Sequence, residues 1–336
     1  MLRTEFQASD KEIKKARLYV TARGIYEIYM NGKRIGTDYF NPGLTQYNIT
    51  HMYQTYDVTS SVIPQGKNAI GALLGEGWWS GNITYTGSNW NYFGDRQSLL
   101  AKLVITYEDG SETVITTNDH DWKYYNKGPV VYGSFFQGEF YDAAREASIK
   151  GWDVADFNDQ SWTDAVEIPL KGSSFEGNVG SRQGGTVSFN FDKMSLIGQI
   201  GENAAMVKEL TAVKVEEVRP GIFVYDMGQN MVGVPLIRLD GEKAGTRITL
   251  RYAEMKYPDL SEYEQNTGMI MIENIRAAPV SPCHGRFINS MVILHCWKSI
   301  IMQWLHISAI LRQRWIKIAD SAQIRSWETG SVLRIV

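Results

Sequence analysis

Gly24-Ile25-Tyr26-Glu27-Ile28-Tyr29-Met30-Asn31-Gly32-Lys33-Arg34-Ile35-Gly36, with Asn41-Pro42-Gly43-Leu44-Thr45-Gln46-Tyr47 close behind, is the stretch whose reading decides the fold. Ile25 to Met30 is rich in β-formers and stops at Asn31-Gly32. An Asn-Gly pair accepts positive φ at both central positions, as a type I′ turn demands, so the stretch predicts a two-residue β-hairpin. Asn41-Pro42-Gly43 predicts a second turn, because proline sets φ and glycine relieves the next position. One hairpin among many in an all-β domain accounts for this stretch on turn chemistry alone.

Working outward, the neighbouring runs obey the same grammar. Arg3-Thr4-Glu5-Phe6 and Ala16-Arg17-Leu18-Tyr19-Val20 read as strands joined through Lys11, Lys14 and Lys15. Tyr53 to Val58 reads as a strand, Val62 to Asn68 as a turn, and Ala69 to Gly75 as a buried apolar strand. Residues 76 to 95 form a long loop. Leu99 to Tyr107 and Glu112 to Thr116 make a hairpin about Asp109-Gly110, and Val130 to Phe136 follows a Gly128-Pro129 turn. Beyond a Gly/Ser-rich stretch at 170–195, β-like runs recur at Ala212–Val218, Gly221–Asp226, Gly233–Leu239 and Thr246–Tyr252.

Composition agrees and excludes several classes. With 336 residues the chain accommodates two domains. Its 18 Tyr, 10 Trp, 12 Phe and 31 Gly suit sandwiches with tight turns. A net charge of −3 offers no basic surface to nucleic acid. No segment has the apolar run of a membrane helix, and Met1-Leu2-Arg3-Thr4-Glu5-Phe6 lacks the apolar core of a signal peptide, so the chain reads as cytoplasmic as written. Two cysteines make no disulfide framework.

Several separate motifs, in order, carry a resemblance. Ala16 to Tyr26, continuing through Tyr53-Gln54-Thr55-Tyr56-Asp57-Val58-Thr59, resembles the N-terminal β-sandwich of bacterial α-L-rhamnosidases. So do Gly75-Glu76-Gly77-Trp78-Trp79, Tyr92-Phe93-Gly94-Asp95-Arg96 and Gly138-Glu139-Phe140-Tyr141-Asp142-Ala143. Trp152 to Trp162 is similar to the edge segment that closes such sandwiches. Tyr225-Asp226-Met227-Gly228-Gln229-Asn230-Met231-Val232-Gly233 is similar to the next β-domain of the family, and Ala253-Glu254-Met255 to the end of its motif. The resemblance runs from about residue 3 to 278. It implies an all-β fold of two consecutive antiparallel, jelly-roll-like β-sandwich domains with an irregular C-terminal tail. The first domain spans 1–170, a linker 171–204 and the second, concanavalin-like domain 205–278.

From Pro279 the character changes. No acidic residue lies between Glu273 and Asp320, and both cysteines fall here. The family similarity stops at the same place, so residues 279–336 read as an out-of-frame tail. The Cys283-His284 and His295-Cys296 pairs lack the spacing of a zinc site.

The family hydrolyses terminal α-L-rhamnose with inversion. That chemistry needs an acid of raised pKa and a base far enough away to seat a water. In relatives the carboxylates sit in an (α/α)6 barrel downstream, so the resemblance assigns no catalytic residue to this chain. It implies a glycoside hydrolase's accessory region, itself not catalytic. Glu139 and Asp142 read as holders of turns and strand ends, and Asp226 to Asn230 as a bulged strand end. The alternative is a stand-alone calcium-dependent module that binds L-rhamnose or rhamnosylated glycans. On that reading the ring platforms are Trp78, Trp79, Trp90 and Tyr92, with Asn82 beside them. Candidate calcium ligands are Asn41, Gln46 and Asp95, since calcium takes six to eight oxygens. Many relatives carry aspartate where Gln46 stands, and a neutral amide weakens such a site. A third reading is a scaffold that positions the barrel.

Overall fold

The computed structural model describes residues 1–81, 90–134, 138–168, 174–178, 186–219, 222–229, 231, 235–237, 255–256, 270–271 and 333–335. The chain divides into two compact units. One comprises Met1–Phe135 with Asp142–Ala205; the other comprises Phe136–Tyr141 with Met206–Val336. Among the described residues no helix is long and apolar enough to cross a membrane.

The first unit is built on ten strands: β1 (Leu2–Gln7), β2 (Ile13–Arg23), β3 (Ile25–Met30), β4 (Lys33–Arg34), β5 (Asp38–Tyr39), β6 (Thr50–Asp57), β7 (Lys67–Gly75), β8 (Ser98–Tyr107), β9 (Glu112–Thr116) and β10 (Lys123–Tyr124). One antiparallel sheet runs β10-β1-β7-β3-β4, with Thr163–Asp164 outside β10. The other runs β6-β2-β8-β9, with Ser195–Gly198 added in parallel outside β6.

Period-two alternation explains which faces meet. β2 turns Ala16, Leu18, Val20 and Ala22 inward, and β8 turns Ala101, Leu103, Ile105 and Tyr107 inward. From the opposite sheet β3 supplies Tyr26, Ile28 and Met30, and β7 supplies Ile70 and Ala72. These residues, with Val58, Val62 and Trp122, form one apolar core. At roughly 25 cal/mol per Å² of apolar surface removed from water, this burial is the main favourable contribution to folding.

The expected hairpin is present. β3 and β4 pair Met30 with Lys33 across Asn31 and Gly32, whose φ values are 50° and 80°. Asn31 also ties the turn to its surroundings. Its Oδ1 accepts from Ala69 N at 2.9 Å, and its Nδ2 donates to Ser61 O and Asn68 Oδ1, each at 2.8 Å. Gly24, at φ 109°, is the corner where the chain leaves one sheet for the other. A Cβ there would lie 2.2 Å from the Gly75 carbonyl oxygen, so only glycine fits. The second expected turn closes with Gly43 N donating to Phe40 O at 2.9 Å, and its Asn41–Pro42 peptide is cis.

The stretch read as a linker is different in the structure. Ser174–Asn178 pairs with Thr186–Asn190, Ser195–Gly198 extends the second sheet, and Ala204–Ala205 pairs with β5. Phe189 and Phe191 are buried. The first unit therefore reaches Ala205. Composition misled because glycines and serines mask the apolar residues spaced between them; Gly172, Ser173, Gly180, Ser181, Gly184 and Gly185 themselves lie outside the described residues.

In the second unit Lys214–Arg219 and Ile222–Asp226 form an antiparallel hairpin with an irregularity between Glu217 and Arg219. Met255–Lys256 pairs with Ile270–Met271, and Leu333–Ile335 pairs with Leu210–Thr211 and Pro235–Ile237. The expected strand at Thr246–Tyr252 and the tail apart from Leu333–Ile335 lie outside the described residues.

Candidate functional site

The Gly75-Glu76-Gly77-Trp78-Trp79 motif leaves β7 in a tight turn. Trp79 N and Ser80 N both donate to Glu76 O, at 3.2 and 3.4 Å. Gly77 and Gly81 take φ of 59° and 67°, a conformation that costs glycine little. The turn rolls both indoles inward, and Trp78 and Trp79 are each only 3% exposed. Trp79 sits in an aromatic cluster. Its ring centroid lies 5.6 Å from Tyr47, 6.3 Å from Phe93 and 5.5 Å from Phe191, while Phe93 stacks on Phe189 at 5.0 Å. The Arg23 guanidinium stands 5.5 Å from the Trp79 ring centroid, within cation–π range. Buried His51 donates from Nε2 to Ala22 O at 2.9 Å in its neutral form; burial holds its pKa down to about 4, and the Arg23 charge adds to this.

This placement corrects the expectation that Trp78 and Trp79 are sugar platforms. Their faces are covered by protein, because a long loop buries its aromatics as readily as a strand does once a turn aims them at the core. Trp90 remains 44% exposed. Tyr92 is half-buried, edge-on to Phe93 at 4.9 Å and to Phe189 at 5.1 Å. Asn82 lies outside the described residues.

The calcium candidates are separately engaged. Asn41, 3% exposed, donates from Nδ2 to Asp38 Oδ2 at 2.6 Å and to the Tyr56 hydroxyl at 2.9 Å. Gln46 is exposed and donates to Asn48 Oδ1 at 2.6 Å. Asp95 is exposed, 3.6 Å from the Arg96 guanidinium. Among the described residues no three His, Cys, Asp or Glu side chains gather to hold a metal ion. Calcium takes six to eight oxygens, amide and main-chain carbonyls among them. The bonds that hold Asn41 and Gln46 run from their amide nitrogens, so the calcium reading of their oxygens, with Asp95, stays a proposal.

Asn41 belongs to a polar network that turn chemistry did not reveal. Asp38 Oδ2 accepts from Asn41, from the Tyr56 hydroxyl at 3.2 Å and from Asn203 Nδ2. Tyr26 hydroxyl donates to Gln54 Oε1 at 2.8 Å, and Gln54 Nε2 donates to Pro42 O and to Gln199 Oε1. Burial raises the Tyr26 phenol well above its ordinary pKa. The network fastens residues 199–203 to the turn at 38–42. The only sequence signal was the polar residues of β6, Gln54 and Tyr56, facing an apolar core.

Asp142 behaves as expected. It caps the short 3-10 helix Ala143–Ile149, accepting from Ala144 N at 3.1 Å and from Arg145 Nε at 3.0 Å. Asp226 likewise closes a turn, accepting from Gly228 N at 2.8 Å; Asn230 lies outside the described residues. Glu139 does not hold a turn. It is 5% exposed, neither carboxylate oxygen has a partner among the described residues, and burial pushes its pKa up to about 9. Glu76 has one buried oxygen without a partner among the described residues, and burial pushes its pKa up to about 7.

Comparison with known proteins assigns the family. The α-L-rhamnosidase N-terminal domain matches residues 11–184, and the bacterial α-L-rhamnosidase concanavalin-like domain matches residues 216–280. The chain is 39% identical to an α-L-rhamnosidase of Streptomyces avermitilis over 79% of its own length and 23% of that protein. It is 36% identical to one from an Alteromonas species over 75% of its length and 25% of that protein. Among solved structures it is similar to the Streptomyces avermitilis α-L-rhamnosidase complexed with L-rhamnose (TM-score 0.64, 38% identity, 80% of this chain, 23% of that one). It is also similar to native α-L-rhamnosidase from Aspergillus terreus (TM-score 0.61, 33% identity, 80% of this chain, 27% of that one). The chain thus spans about a quarter of the length of the curated relatives it matches. With the N-terminal domain matched over more than half its residues and the second domain following in order, the chain belongs to the bacterial α-L-rhamnosidase family.

Proposed function

We propose that this chain is an accessory β-region of an α-L-rhamnosidase, a scaffold that supports hydrolysis of terminal α-L-rhamnose without supplying the catalytic carboxylates. The observation that carries this reading is the inward packing of Trp78 and Trp79. Two of the long loop's three tryptophans stiffen the unit and are not offered to a sugar. Inverting hydrolysis needs an acid and a base facing one another across a sugar and a water. The two matched domains are named for the family's N-terminal and concanavalin-like β-regions, neither of which the family uses for that pair. An assay with an aryl α-L-rhamnoside tests the proposal. No release above a mock preparation is expected, and release proportional to protein would overturn it.

The 44% exposure of Trp90 beside half-buried Tyr92 favours a second reading, in which these two rings dock L-rhamnose or a rhamnosylated glycan. Calorimetric titration of L-rhamnose, with calcium and then with a chelator, decides it. Heat that disappears in Trp90→Ala supports docking, and its absence under both conditions leaves the scaffold alone.

A further inference from the structure

The Glu76 side chain curls back over the turn that its own carbonyl closes. It rests against Gly81, where a Cβ would lie 1.9 Å from Oε2. Oε2 is sealed from water and, among the described residues, has no hydrogen-bond partner. Gly81 in turn is half of a reciprocal pair. Its N–H donates to Asn91 Oδ1 at 2.7 Å, and Asn91 N donates to Gly81 O at 2.7 Å. Gln97 Nε2 holds neighbouring Ser80 at 2.7 Å. These bonds tie residue 81 to residue 91, and the Glu76 carboxyl touches residue 81 of that pair.

A sealed, unpartnered oxygen is tolerable on a neutral carboxyl and expensive on a carboxylate. Among the described residues the groups facing Glu76 supply no cation. Gly81 contributes only its backbone, Asn91 and Ser80 are neutral, and the one titratable group that its charge reaches is Tyr132, whose phenol is itself raised to about 12 by burial first, with Glu76 adding to it.

We propose that Glu76 is a proton-operated latch on the Gly81–Asn91 pair. In its neutral form the carboxyl lies closed against Gly81 and the Gly81–Asn91 pair is held. In its ionised form it turns toward water, giving its proton to solvent, and the pair loosens. The latch acts whether or not the rim touches sugar. With the carboxyl's pKa near 7, the transition falls close to neutrality. Nothing else in the aromatic cluster titrates there, since burial holds His51 down to about 4.

Amide hydrogen exchange read by NMR on the whole chain tests this. After correction for intrinsic base catalysis, exchange at the Gly81 and Asn91 amides is expected to rise about ten-fold between pH 6 and 8, while Leu103 in the core stays unchanged. Glu76→Gln, which keeps the shape and removes the ionisation, is expected to abolish the rise. A flat wild-type profile, or a rise that persists in the variant, would overturn the proposal. A second measurement covers a variant that fails to fold. The wild-type Glu76 carboxyl carbon is expected to titrate with the same midpoint as the Gly81 amide; a midpoint near 4.5, the ordinary glutamate value, would overturn it too.

Discussion

Arg3 Nε donates to the main-chain oxygen of Trp152 at 2.9 Å, joining the first strand to a segment 149 residues away. The guanidinium is 1% exposed, and four of its five N–H groups are bonded. It also donates to Val154 O at 3.0 Å and pairs with Glu5 and Asp159. A buried cation is tolerated when it is paired and its remaining donors are largely satisfied, as here. Replacing Arg3 by Leu leaves two carbonyls without donors and two carboxylates with less compensation. The expected loss is about 2–4 kcal/mol in denaturant unfolding of the first unit.

Gly71 on β7 lies beneath the ring of Trp152, and a Cβ there would come within 2.4 Å of it. The indole is also edge-on to Tyr29 at 5.5 Å and stacked on Trp162 at 6.3 Å, so it has nowhere to move. Gly71→Ala is expected to destabilise by about 1–3 kcal/mol through overpacking. Thermal unfolding followed by near-ultraviolet circular dichroism checks this; an unchanged midpoint would mean that the indole yields.

Two tryptophans of one loop are expected to behave oppositely. Trp79→Ala opens a cavity among Tyr47, Phe93 and Phe191 and costs about 3–5 kcal/mol. Trp90→Ala, at an exposed position, stays within about 0.5 kcal/mol. Equal effects in thermal unfolding would contradict the burial assigned to Trp79.

Glu139 is expected to make stability fall as pH rises. Its folded pKa, about 9, exceeds the ordinary 4.5. Below pH 4.5 both states hold the proton and the carboxyl imposes no penalty. Between 4.5 and 9 the unfolded chain loses its proton first, so stability declines; above 9 it levels off. Glu139→Gln removes this slope and is expected to stabilise the chain at pH 8 by on the order of 1–3 kcal/mol. Urea unfolding at pH 5 and pH 8 reads the difference. A variant less stable than wild type at pH 8 would mean that the carboxylate is satisfied.

Asp38→Ala removes the acceptor shared by Asn41, Tyr56 and Asn203. About 1–3 kcal/mol is expected from the donors left buried. The release is local, so limited proteolysis is expected to move to residues 199–205 before the core is attacked. Cleavage confined to other sites would show that this segment is held by Ala204 and Ala205 pairing with β5 instead.

Much of the first unit was legible from local rules. Asn31-Gly32 specified its turn because few other dipeptides adopt positive φ twice. The alternation in Ala16 to Ala22 and Tyr26 to Met30 specified which faces are buried, since a one-residue slip would expose every core side chain. Asp142 read as holding a strand end, and the structure shows it capping the 3-10 helix that follows. The family motifs placed the chain among the α-L-rhamnosidases without any contact being known.

Side-chain direction outside regular elements was not legible. Trp78, Trp79 and Trp90 share one loop and one chemistry, and periodicity says nothing of which is covered. The turn closed by Glu76 O, with positive φ at Gly77 and Gly81, buried two indoles, Trp79 in the aromatic cluster, and left the third exposed. The Gly/Ser-rich stretch hid Phe189 and Phe191, whose burial depends on rings from residues 79, 92 and 93. Asn41 read as an oxygen donor to a metal, and only the fold brought Asp38, Tyr56 and Asn203 around it. The sequence by itself determined the strands, the tight turns and the family, because these follow from neighbours along the chain. The tertiary structure alone decided which aromatic rings and carboxyl groups meet water, because burial depends on residues distant in sequence.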